Sequence, residues 1–444
     1  MEPIPILVIC PRQIDYLNCE TIPDQEKYDF HFLDAPLELS GFSLDFDPMA
    51  YLEKCRQYIR QYKIQVVLAT RDVPSLLQAQ LSQEFENLRG ATVESVFLCL
   101  HKYYTHKFIE TRPIDYAVCK LETDLETDQT LSEDIEAIDI PFPWIMKPCT
   151  TACSSSIFKV GNRQEAENTI ALYKEGLLDK LNYLSPFLQT YLNSEQYPLI
   201  TSHPILVEEY IDFPHKCCVD GCVSNGEILI WGISDSHYYP SQPECFADFT
   251  FPSTLPEAIQ EELKRAYEKI IQRLIEYGFD NQFVDVEFFV SDKGELKVME
   301  INGRMIPISA ALYRQCLSHG DPYTALIQIG MGCRPQTPTV NGLVGGIFYI
   351  TTFAKGIAKN LFDFEIANGL PNIELRVTPE QEITEISASG CALATVNLVG
   401  NSYAEIHEQA NSIRRQLLKQ PCPLVIKRIK DANQCPRKIQ IKLK

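Results

Sequence analysis

Apolar and polar positions along this chain repeat with two periods, and their order predicts the architecture. Ile4 to Cys10 is a short apolar run closed by Pro11-Arg12, the pattern of a buried strand entering a loop. Tyr28 to Leu33 reads as a second strand and Ile64 to Ala69 as a third. Met49 to Tyr62 has helical spacing, and Asp72 to Leu88 reads as a helix with Pro74 and Ser75 near its start. Repeated strand–helix units predict a parallel, doubly wound, Rossmann-like layer over residues 1–95. Cys10-Pro11-Arg12-Gln13 follows the first strand, where a dinucleotide site would carry G-x-G-x-x-G, so a nucleotide would bind elsewhere.

Residues 96–145 are helical and then polar, and the acidic stretch Leu121 to Asp139 is expected to be an exposed loop or helix. Pro141-Phe142-Pro143 marks entry into a new strand, and short strands dominate 144–230. A long amphipathic helix is predicted over 256–277. Phe283 to Val290 and Leu296 to Ile301 follow as strands, joined by the hairpin signal Ser291-Asp292-Lys293-Gly294. Beyond Pro335 the pattern is β-rich, with turn candidates at Gly342, Gly345, Gly346 and Gly356, and residues 335–444 are expected to form a separate small domain. The class is α/β (α+β).

Composition narrows the function. With 444 residues, two to four structural units are expected, and 45% hydrophobic with 22% charged residues is ordinary for a soluble globular chain. The formal charge of −19 disfavours nucleic acid and anionic lipid, whose phosphates are bound by Lys and Arg. No apolar run approaches the roughly 20 residues of a membrane helix. The opening Met1-Glu2-Pro3 lacks a secretory signal. Of the 16 cysteines, Cys217, Cys218 and Cys222 have no paired Cys-x-x-Cys or His-x-x-x-His to complete a zinc site, and read as small apolar strand residues. Free thiols in a reducing cytoplasm are the expectation.

The hairpin carries the chemistry. Period-2 geometry points Glu300, Asn302 and Arg304 the same way, and pairing could bring Glu287 beside Glu300. Two carboxylates and a carboxamide oxygen suit magnesium, which uses one or two carboxylates together with substrate phosphates. A guanidinium suits a phosphoryl group or a carboxylate. The apolar flanks Phe283, Val284, Val286, Phe288, Phe289 and Met299 argue against a merely solvated hairpin. Lys147 ends the strand Trp144 to Pro148, and the hydroxyls and N–H groups of Cys149 to Ser156 could cradle phosphate. Lys102 lies in a helical stretch, and Pro204 to Ile211 is an apolar strand ending in acids that could serve adenine and ribose. Ser234 to Tyr239, with Tyr313 and Arg314, is a candidate acceptor pocket in which His237 and Tyr313 would meet substrate.

In this order, over about residues 64–334, these parts resemble the ATP-grasp superfamily. The closest pattern is that of carboxylate–amine ligases including the L-amino acid ligases, followed by biotin carboxylase-like members. The resemblance implies a Rossmann-like domain at 1–95, a two-lobed ATP-grasp domain at 96–334 with its central lobe about 145–212, and a biotin carboxylase C-like domain at 335–444. It implies that Lys102, Lys147 and Ser154 contact ATP phosphates, and that Glu208, Glu209, Ile211 and His215 contact the rest of the nucleotide. Glu287, Glu300 and Asn302 would hold Mg2+ or Mn2+, and Arg304 would steady an acyl phosphate. Two departures stand out: the loop Cys149 to Ser156 has no glycine, and His101 replaces the usual Asp before the first lysine. Met305-Ile306-Pro307-Ile308-Ser309 after Arg304 lacks the carboxylate that biotin carboxylases use on bicarbonate. The expected activity is ATP-dependent joining of a small-molecule carboxylate to an amine, in a chain that could be a homodimer. A non-catalytic ATP-binding regulator is the alternative from another class.

Overall fold

The computed structural model describes residues 2–38, 41–42, 46–109, 111, 113–119, 135, 137–150, 157–174, 183–201, 204–239, 242–384 and 390–420. Strands β1 (Ile4–Ile9), β2 (Tyr28–Leu33) and β3 (Val66–Leu68) form a parallel sheet in the order β2-β1-β3. Side chains alternate across it. Leu7 and Ile9 enter one core and Ile6 and Val8 another, so helices must cover both faces. Helix α1 (Gln13–Glu20) follows β1, and α2 (Pro48–Tyr62) precedes β3. Asp47 starts α2 by accepting hydrogen bonds from the Met49 and Ala50 amides, with Pro48 at the first position. Tyr51, Leu52, Cys55 and Ile59 then form its buried stripe. Helix α3 (Asp72–Glu84) begins four residues after β3, which puts Asp72 at the carboxyl edge of the sheet.

Helices α4 (Val93–Leu100) and α5 (Lys102–Phe108) lead to a four-stranded antiparallel sheet. Its strands are β4 (Tyr116–Cys119), β5 (Trp144–Pro148), β6 (Phe158–Val160) and β7 (Ile205–Glu209), in the order β4-β7-β5-β6, backed by α6 (Arg163–Leu172). Strand β4 precedes the acidic stretch and did not show in the sequence pattern. Residues 121–134 and 136 of that stretch lie outside the described residues.

A larger sheet of eight strands holds the remainder. Strands β8 (His215–Ser224), β9 (Glu227–Tyr239) and β10 (Gln242–Phe251) are followed by α7 (Glu257–Glu276), then by the hairpin β11 (Gln282–Val290) and β12 (Leu296–Asn302). Helices α8 (Ala310–Cys316) and α9 (Pro322–Gly330) lead to β13 (Val344–Thr352), β14 (Ile373–Leu375), β15 (Cys391–Gly400) and α10 (Tyr403–Leu417). The sheet order is β12-β11-β8-β9-β10-β13-β15-β14. Strands from beyond residue 335 therefore continue this sheet. They also build a core of their own, with Ile406, Ala410 and Leu417 of α10 against Phe348, Ile350 and Val396.

Strand parity divides the large sheet into a helix-covered face and a face toward the other layers. Val219, Val284, Val286 and Phe288 pack with Leu263, Tyr267 and Ile270 of α7. Cys218, Asp220, Asp285 and Glu287 point the other way. Among the described residues no helix is long and apolar enough to cross a membrane, and the described cysteines are free thiols.

On the helix-covered side His237 Nδ1 lies 2.8 Å from Oδ1 of the buried Asp248, near His407 and Arg414 of α10. Burial alone would lower the His237 pKa, but Asp248 outweighs it and holds the ring above its ordinary value. Stability from this pair is then fully present below about pH 6.5, the ordinary histidine value. It is lost as pH rises through the higher folded-state value. Melting curves from pH 6 to 9 should show the unmodified chain losing up to about 1 kcal/mol relative to His237→Phe, a figure kept small by solvent screening. Parallel curves would show that the pair contributes nothing.

Candidate active site

The hairpin and its neighbour set a grid of side chains by register alone. Asp220 of β8, Asp285 of β11 and Asn302 of β12 are Cα partners in one row, and Cys218, Glu287 and Glu300 in the next. Directly opposed residues share a face, so Glu287 and Glu300 stand side by side as the alternation of the sequence implied. A bulge at Met299 makes this possible. Val298 pairs with Phe288 and Glu300 with Glu287, leaving Met299 as the extra residue. Gly303 then carries the chain closely past α4, where a Cβ would lie 3.2 Å from Cys99 Cβ.

Arg304 follows at the end of the first row. Its Nε donates to Asp72 Oδ1 at 3.0 Å and its Nη2 to Asn302 Oδ1 at 3.1 Å, with Nη1 3.5 Å from Asp285 Oδ1. Asn302 completes the set by donating through Nδ2 to Asp285 (3.2 Å) and Glu287 (3.1 Å). Its amide therefore ties the acids together while its oxygen accepts from Arg304. In this arrangement Asn302 organises the carboxylates, and one hydrogen bond, from Arg304 Nη2, reaches its oxygen.

Lysines approach from the other layers. Lys102 is the first residue of α5; its backbone N–H donates to Cys149 O at 2.8 Å and its Nζ lies 2.8 Å from Glu300 Oε1. Lys147 on β5 has Nζ 2.8 Å from Glu208 Oε2, and His106 Nε2 lies 2.5 Å from Glu208 Oε1. Lys297 of β12 reaches Glu209 at 2.6 Å and so links the two antiparallel sheets.

Burial sets the charge balance. Desolvation first, and the adjacent Glu300 second, lift Glu287 to about 7. Burial likewise raises Asp285 well above the carboxylate range and Asp220 to about 6. Burial also opposes the charge on Glu300, yet Lys102 and Lys147 hold its carboxyl below its ordinary value. For Glu208 the opposing burial is overcome by Lys147 and His106, which bring it to about 2.

Several expected site residues thus converge, and others do not. Lys102, Glu287, Glu300, Asn302 and Arg304 form one connected cluster, while Lys147 and Glu208 form a second beside it. Glu208 is 4% exposed and pairs with both Lys147 and His106. Ile211 is buried just past β7. His215 opens β8, half-exposed and 3.6 Å from Asp292 in the hairpin turn. Ser154 lies outside the described residues. His237 is not at the carboxylates; its alternation with Ser236 turns it to the opposite face. Tyr238 takes the facing position, with the Lys216 ammonium 3.6 Å from its ring centre. Tyr313 is buried with its hydroxyl donating to Asp220, and Arg314 is tied to Asp321 and Asn18, so neither reads as an open acceptor pocket.

Asp285, Asp220, Asp72 and His106 were missed by sequence reasoning. Asp285 was within reach, because it lies two positions before Glu287 on the same strand. The other three come from separate elements and carried no local signal.

The comparisons bear on this geometry. A family model described as the ATP-grasp domain matches residues 140–308. The chain carries an ATP-grasp domain. The match spans Lys147, Glu208 and the whole hairpin. No curated protein sequence matches the chain at a significant level. Solved structures resemble it over nearly its full length. An L-amino acid ligase from Bacillus licheniformis has TM-score 0.70 and 11% identity, covering 95% of this chain and 100% of its own. A carboxyaminoimidazole ribonucleotide synthase from Aspergillus clavatus, complexed with ATP, has TM-score 0.65 and 13% identity, covering 94% and 99%. A biotin carboxylase from Campylobacter jejuni has TM-score 0.62 and 14% identity, covering 93% and 91%. At such identities the likeness is one of fold, and it includes the layers flanking the ATP-grasp domain.

The residues present fit a hard divalent cation. Asp285 Oδ1 is buried and accepts no hydrogen bond among the described residues, and one oxygen each of Asp285 and Glu287 lies with Cys218 Sγ within a mutual 4.8 Å. The carboxyl oxygens match magnesium chemistry and the thiol does not. Four acids face fewer cations here, the imbalance a divalent ion would correct. Glu287→Gln should therefore stabilise the metal-free protein by about 1–2 kcal/mol at pH 8, as relief of like-charge burial implies. It should also abolish any rise in melting temperature with added Mg2+. Thermal denaturation with chelator and with Mg2+ checks both, and a destabilised variant that still responds to Mg2+ would refute the assignment.

Proposed function

We propose that this protein is an ATP-dependent ligase that activates a small carboxylate as an acyl phosphate and joins it to an amine. The observation that carries this reading is the opposed pair Glu287 and Glu300, which share one face with Lys102 and Arg304. A nucleotide-binding module without chemistry has no need of two juxtaposed, half-buried acids and a fixed guanidinium. The names of the similar structures agree in kind, since an L-amino acid ligase and a synthase complexed with ATP are among them.

In this reading Lys102 and Lys147 bind phosphoryl oxygens and neutralise their charge. Glu287 and Glu300, with Asp285 behind them, are the groups that would hold Mg2+, which when bound offsets charge on the terminal phosphates. A carboxylate oxygen of the substrate attacks the γ-phosphorus, and the bond to the ADP oxygen breaks. Arg304 steadies the transferred phosphoryl group, held ready by Asp72 and Asn302. The amine then attacks the acyl carbon, phosphate departs with the carboxyl oxygen, and the amine loses a proton. An amino acid or similar small molecule is the expected carboxylate.

Carboxylation in the manner of a biotin carboxylase is disfavoured by the residues after Arg304, which include no acid through Ser309. Screening carboxylate and amine pairs for ADP and phosphate release tests the proposal directly. With an active pair in hand, Glu300→Gln should lower turnover at least about 100-fold, the scale of losing one preorganised electrostatic group. Full turnover in that variant would remove the metal assignment. Nucleotide binding without phosphate release across a broad panel would favour a non-catalytic role.

A further inference from the structure

We infer that Glu208 and His106 are positioning residues for Lys147, and that Glu208 does not read the nucleotide's sugar. This rests on the reading of the cleft as a nucleotide site and assigns a division of labour within it.

The three groups come from three elements: Lys147 from β5, Glu208 from β7 and His106 from α5. They are 5%, 4% and 4% exposed. A buried ammonium needs a counter-charge, and a buried carboxylate needs partners for both oxygens. Both needs are met here. Glu208 Oε2 takes Lys147 Nζ at 2.8 Å, and Oε1 takes His106 Nε2 at 2.5 Å. His106 is fixed in turn by stacking on Tyr116, with ring centres 5.1 Å apart. Tyr116 is the register partner of Glu208, so the same strand pairing that places the acid places the ring. The Lys147 ammonium keeps two of its three donors for other groups. The chain thus runs from a ring through an acid to a cation, and ends at an ammonium read here as a phosphate contact. Each Glu208 oxygen already accepts a charge-assisted contact, and at 4% exposure the carboxylate presents little surface to a ribose hydroxyl. Adenine and sugar recognition is left to groups near Glu209 and Ile211.

The test compares Mg2+ complexes of ATP and 2′-deoxy-ATP, with adenosine as the phosphate-free probe, by calorimetry on the full chain. Glu208→Gln should weaken both triphosphates by the same factor, tenfold or more, while adenosine binding changes less than twofold. Combined with Lys147→Met, it should add nothing to the loss from Lys147→Met alone. His106→Phe should show the same pattern more weakly, and serves where Glu208→Gln does not fold. A loss confined to ATP over 2′-deoxy-ATP would overturn the inference in favour of a ribose contact. Tighter triphosphate binding would overturn it by showing that Glu208 competes with phosphate for Lys147. Additivity with Lys147→Met would overturn it as well. If the unmodified chain binds neither triphosphate, the nucleotide reading fails and the inference falls with it.

Discussion

Two carboxylates set opposite one another on paired strands, and partly shielded from water, are the constraint around which this structure is arranged. Register puts Glu287 against Glu300, and the row behind adds Asp285 and Asp220. Like charges this close and this buried cannot all ionise without help, which is why Glu287 is pushed to about 7 while Glu300, beside Lys102, is held low. The asymmetry comes from the lysine. An uncompensated cluster of this sort is a standing cost to stability, and it makes sense where a cation and phosphates complete it.

Every surrounding layer answers that charge. Lys102 comes from the helix pair before the small sheet, Lys147 from the small sheet itself, and Arg304 from the segment just past the hairpin. Each arrives with its own counter-acid: Glu300, Glu208 and Asp72. In this state no cation of the three stands alone, so binding a phosphate means sharing contacts that already exist. Such prepaired ions lose little orientation when a ligand arrives, and that preorganisation is where electrostatic catalysis gets most of its effect.

Much of this was legible in the sequence. The parallel layer, the long helix 257–276 and the hairpin follow from apolar periodicity, and the turn brings Glu287 near Glu300, while the bulge at Met299 sets the two directly opposite. Period-2 reasoning failed where geometry departs from it: the bulge at Met299 resets alternation, so counting back from Glu300 would have misplaced Lys297. It also failed when not applied, as with Asp285. His237 looked like a pocket residue because histidine and tyrosine cluster around it, but strand parity sends it to the α10 side, against Asp248. The partners that give Glu208 and Arg304 their settings are 102 and 232 residues away in the chain. No local pattern encodes such contacts. They arise when strand ends from different layers meet.

Asp72 shows why the first layer belongs to the site. In open parallel sheets ligands gather outside the carboxyl ends of the strands, where backbone and helix starts leave polar groups exposed. Here the group at that edge is a carboxylate at the start of α3, and its contact is the Arg304 Nε. The guanidinium is thereby held from two layers, by Asp72 on one side and by Asn302 and Asp285 of the hairpin sheet on the other. A Rossmann-like layer without the glycine signature can thus still serve the chemistry, because it fixes the direction of one side chain in a site built by other parts of the chain.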